Sequence, residues 1–197
     1  MKLGWLALGF FYFGAAGPAQ AAPTEMRAIV LAGTKLPARV SGQLESVQAK
    51  LGALIPAPGF PKVVESKLVP GLKPGFEVIL LGLCPTLGVE GSLTDLVEQA
   101  AKEAVSGSYS RPVKVDGPPA CPQLKISRPD EPEGQQPWAA YEKSPDSPDA
   151  QVALGHYLVS VGDLDGGEYL GLRALLKSPQ HPGAKGLLEK IGVLRTD

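Results

Sequence analysis

Histidine and cysteine are scarce in this chain of 197 residues, with two of each. Neither His156 nor His181 has a serine, cysteine or acidic neighbour at a catalytic spacing, which leaves acid–base and nucleophilic chemistry without its usual groups. Cys84 and Cys121 are 37 residues apart with no close histidine or third cysteine, so no zinc set forms. Cys84 also follows an apolar run and precedes Pro85, a setting that does not promote a thiolate. An excess of one charge is missing too: 19 Lys and Arg stand against 20 Asp and Glu, so no strong field invites nucleic acid. Gly33-Thr34-Lys35 lacks the upstream glycine of a phosphate loop, and Asp163-Leu164-Asp165 lacks the other ligands and the terminal glutamate of a calcium loop. The expectation is a chain that is not an enzyme, with no catalytic residue, no metal and no cofactor.

Glycine and proline, by contrast, are abundant at 24 and 20 residues, which favours short elements, many turns and at least one linker. Residues 1–21 begin with Lys2, continue as a mostly apolar run over 3–16, and end on small residues at Ala19 and Ala21. These are the three parts of a secretory signal peptide cleaved after Ala21, and the run is shorter than the roughly 20 residues of a membrane span. No cysteine follows the run, so a lipid-anchored export signal is not expected. Without Lys2 the chain keeps 18 basic and 20 acidic side chains, net −2. In an exported chain an even cysteine pair is most simply one disulfide, Cys84–Cys121, with two buried free thiols as the alternative.

Residues 70–84 dictate what lies around them. Two Pro-Gly pairs, Pro70-Gly71 and Pro74-Gly75, make a stiff turn region, and 76–81 is an apolar run of strand length closed by Gly82. Apolar residues at both alternations, Val78 to Leu81, predict a central strand. Upstream, 27–33 reads as an apolar strand ending in glycine, and Pro37, Val40, Leu44, Val47 and Leu51 mark a helix with Gly52 beyond its end. A further strand is expected near 62–68. After the central strand, Ser92 and Asp95 have the spacing of a capping box, followed by an apolar helix face from Leu93 to Ala104 with Gly107 beyond it. Residues 109–115 form a last strand, which Pro112 assigns to a sheet edge. Strand, helix, strand thus occurs twice, with Gly33 and Gly82 offset by 49 residues. Such a duplication predicts an α+β fold: a β-α-β-β-α-β ferredoxin-like sheet with two helices on one face and the other face open.

The strand ending in Gly33, the Pro-Gly-Leu-Lys-Pro-Gly turn, the strand 76–82 and the Tyr109-Ser-Arg-Pro-Val113 ending resemble the SPOR (sporulation-related repeat) family over about 26–115. That resemblance implies a small envelope domain that binds peptidoglycan glycan strands. The family's first strand commonly carries a glutamine and ends Gly-Ser-Phe; here Val30, Leu31 and Ala32 precede Gly33-Thr34-Lys35.

Residues 116–136 hold five prolines and almost no apolar periodicity, the composition of an extended linker. Beyond it, Ala140, Lys143, Ser144, Pro145 and Pro148 recur as Ala174, Lys177, Ser178, Pro179 and Pro182, each 34 residues on. That is the tetratricopeptide period. Residues 137–197 are read as a short all-α tetratricopeptide-like helical module. Its complete unit spans 148–181, with Ser147 as N-cap, a first helix to Val161, and a second from about Leu164 to Lys177. Gly167 and Gly171 inside that second helix cost about 1 kcal/mol each relative to alanine.

The domain reading is therefore a signal peptide at 1–21, a SPOR-like domain at 22–115, a Pro-rich linker at 116–136 and the helical module at 137–197. Lys35, Lys73, Tyr109, Arg111 and Lys114 form a candidate polar-aromatic rim for a glycan, within a segment, 26–115, of ten basic and seven acidic side chains. Tyr157, Tyr169 and Arg173 are candidates for a protein partner on the helical module, with repeat packing as the plainer reading of the tyrosines. The function expected is non-catalytic binding in the periplasm or outside the cell, of peptidoglycan or another envelope glycan by the first domain and of a protein by the second. The alternative is an adaptor that binds proteins only.

Overall fold

Aliphatic residues fill both faces of the strand Thr24–Thr34 (β1): Ile29 and Leu31 point one way, Met26, Ala28 and Val30 the other, and none is more than 2% exposed. A strand apolar on both sides is stable only inside a covered sheet. β1 is the first element of the computed structural model, which describes residues 24–35 and 37–196; the leader expected at 1–21 lies outside the described residues. After the helix Pro37–Gln48 (α1) come the two-residue strand Leu54–Ile55 (β2) and the strand Lys62–Glu65 (β3). The strand expected near 62–68 thus stops at Glu65, where Ser66–Leu68 tightens into a 3₁₀ turn.

The central strand is Glu77–Pro85 (β4). It does not close at Gly82, which pairs with Ile29 inside the ladder. After the helix Gly88–Ala104 (α2), the strand Tyr109–Val115 (β5) completes a four-stranded antiparallel sheet in the order β3-β4-β1-β5. Pro112 sits on the edge strand, where a missing N–H costs least. Val40 and Val47 of α1 and Val97 and Ala101 of α2 all pack against Ile29, Leu31, Ile79 and Leu81, so both helices cover one face.

The capping box expected at Ser92 is replaced by a different arrangement. Helix α2 begins four residues earlier, and the Ser92 hydroxyl donates to the Gly88 carbonyl at 3.5 Å. Thr94 is fully buried, and its hydroxyl lies 2.8 Å from the Pro85 carbonyl and 3.0 Å from that of Glu90, which ties the helix to the end of β4.

Residues 116–136 are not extended throughout. Ala120 bridges Leu83, Cys121 is disulfide-bonded to Cys84 with their Cα atoms 4.6 Å apart, and Gln123–Leu124 (β6) pairs with β2. The first helix of the C-terminal group starts inside this stretch, at Pro132. Pro132 fits the first helical turn, where its missing N–H has no partner to lose.

Four helices follow: Pro132–Lys143 (α3), Pro148–Ser160 (α4), Leu164–Lys177 (α5) and Pro182–Leu194 (α6). The ends of α3 and α5, and the starts of α4 and α6, keep the 34-residue spacing. Ser147 caps α4 by accepting from Ala150 N, and His181 does the same for α6 by accepting from Ala184 N at 3.2 Å. Because Nδ1 accepts, the neutral ring carries its proton on Nε2, which faces Asp149 Oδ1 at 3.1 Å.

The glycines that weaken α5 by propensity have a packing reason. A Cβ at Gly167 would come within 2.5 Å of Val159 Cγ2 and 3.2 Å of the Gly155 carbonyl, and one at Gly155 within 2.6 Å of Leu187 Cδ2. Helices α4 and α5 approach backbone to backbone at this pair.

The helical group does not stand apart from the sheet. Leu96 of α2 shares one buried cluster with Leu154, Leu158, Tyr169 and Leu170, and Leu93, Leu124 and Ile126 pack on it. The protein is therefore α+β, with a four-stranded antiparallel sheet and six α-helices among the described residues, and an apolar layer joins the two parts.

On the helix side of the sheet, Arg27 of β1 ion-pairs with Asp95 and, at 3.1 Å, with Glu98. Glu98 also takes Lys102 Nζ at 2.7 Å and the Ser110 hydroxyl at 2.7 Å. Burial pushes its carboxyl up, but the bonds from Lys102 and Ser110 and the charges of Lys102 and Arg27 outweigh it and hold the carboxyl below its ordinary 4.5. A depressed carboxyl contributes stability that is complete above the unfolded value and is lost as pH falls through the folded one. Glu98→Gln is expected to remove that part of the acid slope. Urea titrations should show the gap between the parent chain and the variant constant above about pH 5 and shrinking below 4.5; a gap that does not change with pH would rule this out.

Candidate functional site

The eleven residues from Ser66 to Phe76, which connect β3 to β4, decide what the helix-free face of the sheet can do. Ser66, 1% exposed, clasps the ends: its N–H donates to the Phe76 carbonyl at 2.8 Å, and its Oγ accepts from Phe76 N at 3.1 Å. A loop closed on itself in this way is an Ω-type strap. Between the clasped ends, Val69 and Leu72 drop onto Met26, Ala28, Val30, Val78, Leu80 and Val113. The face expected to be open is thus partly roofed, because six apolar side chains on it need cover.

The strap crosses the sheet from β3 to the far edge. There the Lys114 N–H donates to the Pro70 carbonyl at 3.4 Å. Gly71 passes so close to β5 that a Cβ on it would lie 2.6 Å from the Pro112 carbonyl, and its φ of +107° is one that residues with side chains rarely adopt. Gly71→Ala is expected to lose about 2 kcal/mol and to release the Lys114 amide to hydrogen exchange. Gly75 has φ +90° with open space around it, so Gly75→Ala carries the backbone strain alone. Equal losses from the two substitutions would contradict the close approach at β5.

On either side of Gly71 the face is left as a depression. One, of about 390 Å³, is lined by Gly33, Lys73, Phe76, Gly107, Tyr109 and Arg111 together with neighbouring backbone and Val78. Tyr109, Arg111 and Val113 share a face of β5 by strand alternation, which turns the ring and the guanidinium toward this hollow. Lys35 Nζ sits 5.7 Å from the Phe76 ring centroid at its edge, and the Arg111 guanidinium 5.9 Å from that of Tyr109. Neither Asp nor Glu is on its wall. Three of the five residues singled out as a glycan rim, Lys73, Tyr109 and Arg111, line it, and Lys35 stands beside it over the ring of Phe76. Lys114 does not: it lines the second depression, of about 530 Å³, with Met26, Pro70, Leu87 and Val113, and its Nζ is 3.6 Å from Glu25. Sequence reading missed Phe76 and the Ser66 clasp; the aromatic directly after the second Pro-Gly pair was the available signal for Phe76.

The residues proposed for a protein partner are spent largely on packing. Tyr169 is 3% exposed within the cluster that joins α2 to α4 and α5, the packing role that is its plainer reading, and burial there pushes its hydroxyl pKa up. Tyr157 donates to Glu131 Oε2 at 2.7 Å, a bond that pushes its hydroxyl up to about 12. Arg173 pairs with Asp146 at 3.2 Å, beside a cavity of about 430 Å³ between α2 and α5 that Leu93, Cys121, Tyr169, Arg173 and Leu176 help to line.

No group of three or more His, Cys, Asp or Glu is placed to hold a metal among the described residues, and His156 is exposed on α4, away from His181. What the 390 Å³ hollow offers is cationic and aromatic surface with backbone beside it. Comparison with family models, with curated proteins and with solved structures finds no match to this chain.

Proposed function

We propose that the chain is a non-catalytic protein of the bacterial envelope that holds cell-wall glycan on the helix-free face of its sheet and a protein partner on its helices. The observation that carries the reading is the gathering of Lys73 and Arg111 with the rings of Phe76 and Tyr109 at one hollow, with Lys35 over Phe76 beside it. Ring faces accept the C–H faces of sugars, and cations accept the anionic groups of a wall polymer through charge-assisted hydrogen bonds. For the four-stranded sheet alone, the chain order β-α-β-β-α-β, the sheet order β3-β4-β1-β5 and the placement of α1 and α2 on one face support a ferredoxin-like, SPOR-like unit.

Helices α3 to α6 are taken as a half, a whole and a half of a tetratricopeptide-like array, supported by the shared 34-residue spacing of helix ends and caps. Arrays of this kind usually need three or more repeats, and α2 supplies the missing cover through Leu93 and Leu96. The exposed Val193 and Leu194 at the end of α6 are the surface assigned to a protein partner. An exported location is supported by the disulfide, since such bonds persist in oxidising compartments. Among the described residues no helix is long and apolar enough to cross a membrane.

The test is co-sedimentation of the exported, processed chain with purified peptidoglycan sacculi. The chain is expected in the pellet, the triple variant Lys73→Gln, Tyr109→Ala, Arg111→Gln in the supernatant, and Arg173→Gln in the pellet. A parent chain left in the supernatant overturns the glycan reading and leaves the adaptor.

A further inference from the structure

The 390 Å³ hollow is more specific than a general sugar site. Two cations stand on its wall, Lys73 and Arg111, and a third, Lys35, lies over the ring of the wall residue Phe76. Lys67 and Lys114 of the same domain have carboxylate partners, Glu65 at 2.5 Å and Glu25 at 3.6 Å, whereas the exposed Lys50 and Lys62 stand singly elsewhere on it, Lys62 over the Phe60 ring at 4.6 Å. None of the three has a carboxylate within ion-pairing distance among the described residues. Arg111 and Lys35 lean on ring faces instead, at 5.9 and 5.7 Å. Cations that share a concave surface without a compensating acid give it a positive potential that favours an entering anion. The ring faces and the apolar floor, Val78 and Leu72, leave the rest of the hollow suited to an uncharged ring.

Resting on the wall-binding reading, we propose that this hollow selects saccharide units that carry a negative charge, and that Lys35, Lys73 and Arg111 hold the anionic group while Tyr109 and Phe76 hold the ring. Neutral glycan of the same backbone is a poor ligand. The charge is a carboxylate on the sugar or a phosphate ester attached to it; both present the same acceptor oxygens to lysine and arginine.

The test compares three preparations of purified sacculi: untreated, treated with carbodiimide and ammonia so that carboxylates become amides, and treated with hydrofluoric acid so that phosphodiester-linked polymers are stripped. Binding of the full exported chain is measured at low and at physiological salt. Untreated sacculi are expected to bind, with affinity falling as salt rises. One of the two treatments should weaken binding about ten-fold or more, and which one does so identifies the carboxylate or the phosphate. Lys73→Gln and Arg111→Gln should each weaken binding to untreated sacculi about ten-fold and reduce the salt dependence, while Lys67→Gln, outside the hollow, should change neither. Melting curves of the variants separate lost charge from lost fold. Equal binding to all three preparations overturns charge selection but leaves wall binding standing. A treatment effect that Lys73→Gln and Arg111→Gln leave intact overturns the assignment to this hollow. Binding to none of the three overturns both.

Discussion

Replacing Cys84 and Cys121 together by alanine is expected to lower the unfolding free energy by about 4 kcal/mol and the Tm by about 10 °C. The bond closes a loop of 37 residues between β4 and the segment leading to β6. Cross-linking a loop of that length removes conformational freedom from the unfolded chain. The native side adds to it. Cys84 is fully buried against α2, and the Cys121 segment supplies the Leu83–Ala120 bridge and the β2–β6 pair, neither of which has other strands to hold it. Thermal unfolding with and without a dithiol is the measurement. Reductant should bring the parent chain down to the level of the alanine pair and leave the pair unchanged; a parent chain insensitive to reductant would contradict this role.

Leu170→Ala is expected to cost about 3 kcal/mol, and to do so for the whole chain rather than for the helices alone. Leu170 is fully buried in the cluster that also contains Leu96 of α2, and α2 in turn packs through Val97 and Ala101 on Ile29, Leu31, Ile79 and Leu81. Loosening α5 therefore uncovers α2, and α2 uncovers the sheet. Trp138, the one tryptophan outside residues 1–21, is packed on the same cluster and reports it by fluorescence. Its transition should coincide with loss of hydrogen-exchange protection in β4, shifted equally by the substitution. Protection of β4 that outlasts the fluorescence change would mean two independent folding units.

Local chemistry made the strands and the helical caps legible in the sequence. Val78 to Leu81 are apolar at every alternation, so a central strand was readable, and Pro112 placed β5 at an edge. Ser147 and Pro148 marked the start of α4 because capping is settled within three residues, by one side-chain acceptor and one free N–H. Three features were not legible for the same reason: each depends on residues far apart in sequence. The start of α2 lies four residues before Ser92 because Thr94 bonds to the end of β4. The stretch 116–136 resembles a linker in composition, yet Leu83, Cys84 and β2 give it partners that no periodicity announces. Tyr169 looks like a binding tyrosine until Leu96 of α2 is brought against the helices.

Residue type and position near strand ends single out Lys35, Lys73, Tyr109 and Arg111; strand alternation together with the strap brings Lys73, Tyr109 and Arg111 to one hollow, with Lys35 beside it over Phe76. Lys114 was separated from them by a feature invisible in one dimension, the passage of Gly71 against Pro112. The strap itself was read as a turn. Its cover of the sheet follows from the apolar Val69 and Leu72, which lie between two Pro-Gly pairs and have nowhere else to be buried.

The claim that the helix-free face of the sheet is the ligand surface is tested most directly by residue-resolved amide NMR of the exported chain titrated with soluble glycan strands released from sacculi. Chemical-shift changes confined to residues 33–35, 66–76 and 107–113, absent in Arg111→Gln, are what the account predicts. Changes confined to α3 through α6, with the strap unmoved, would contradict it.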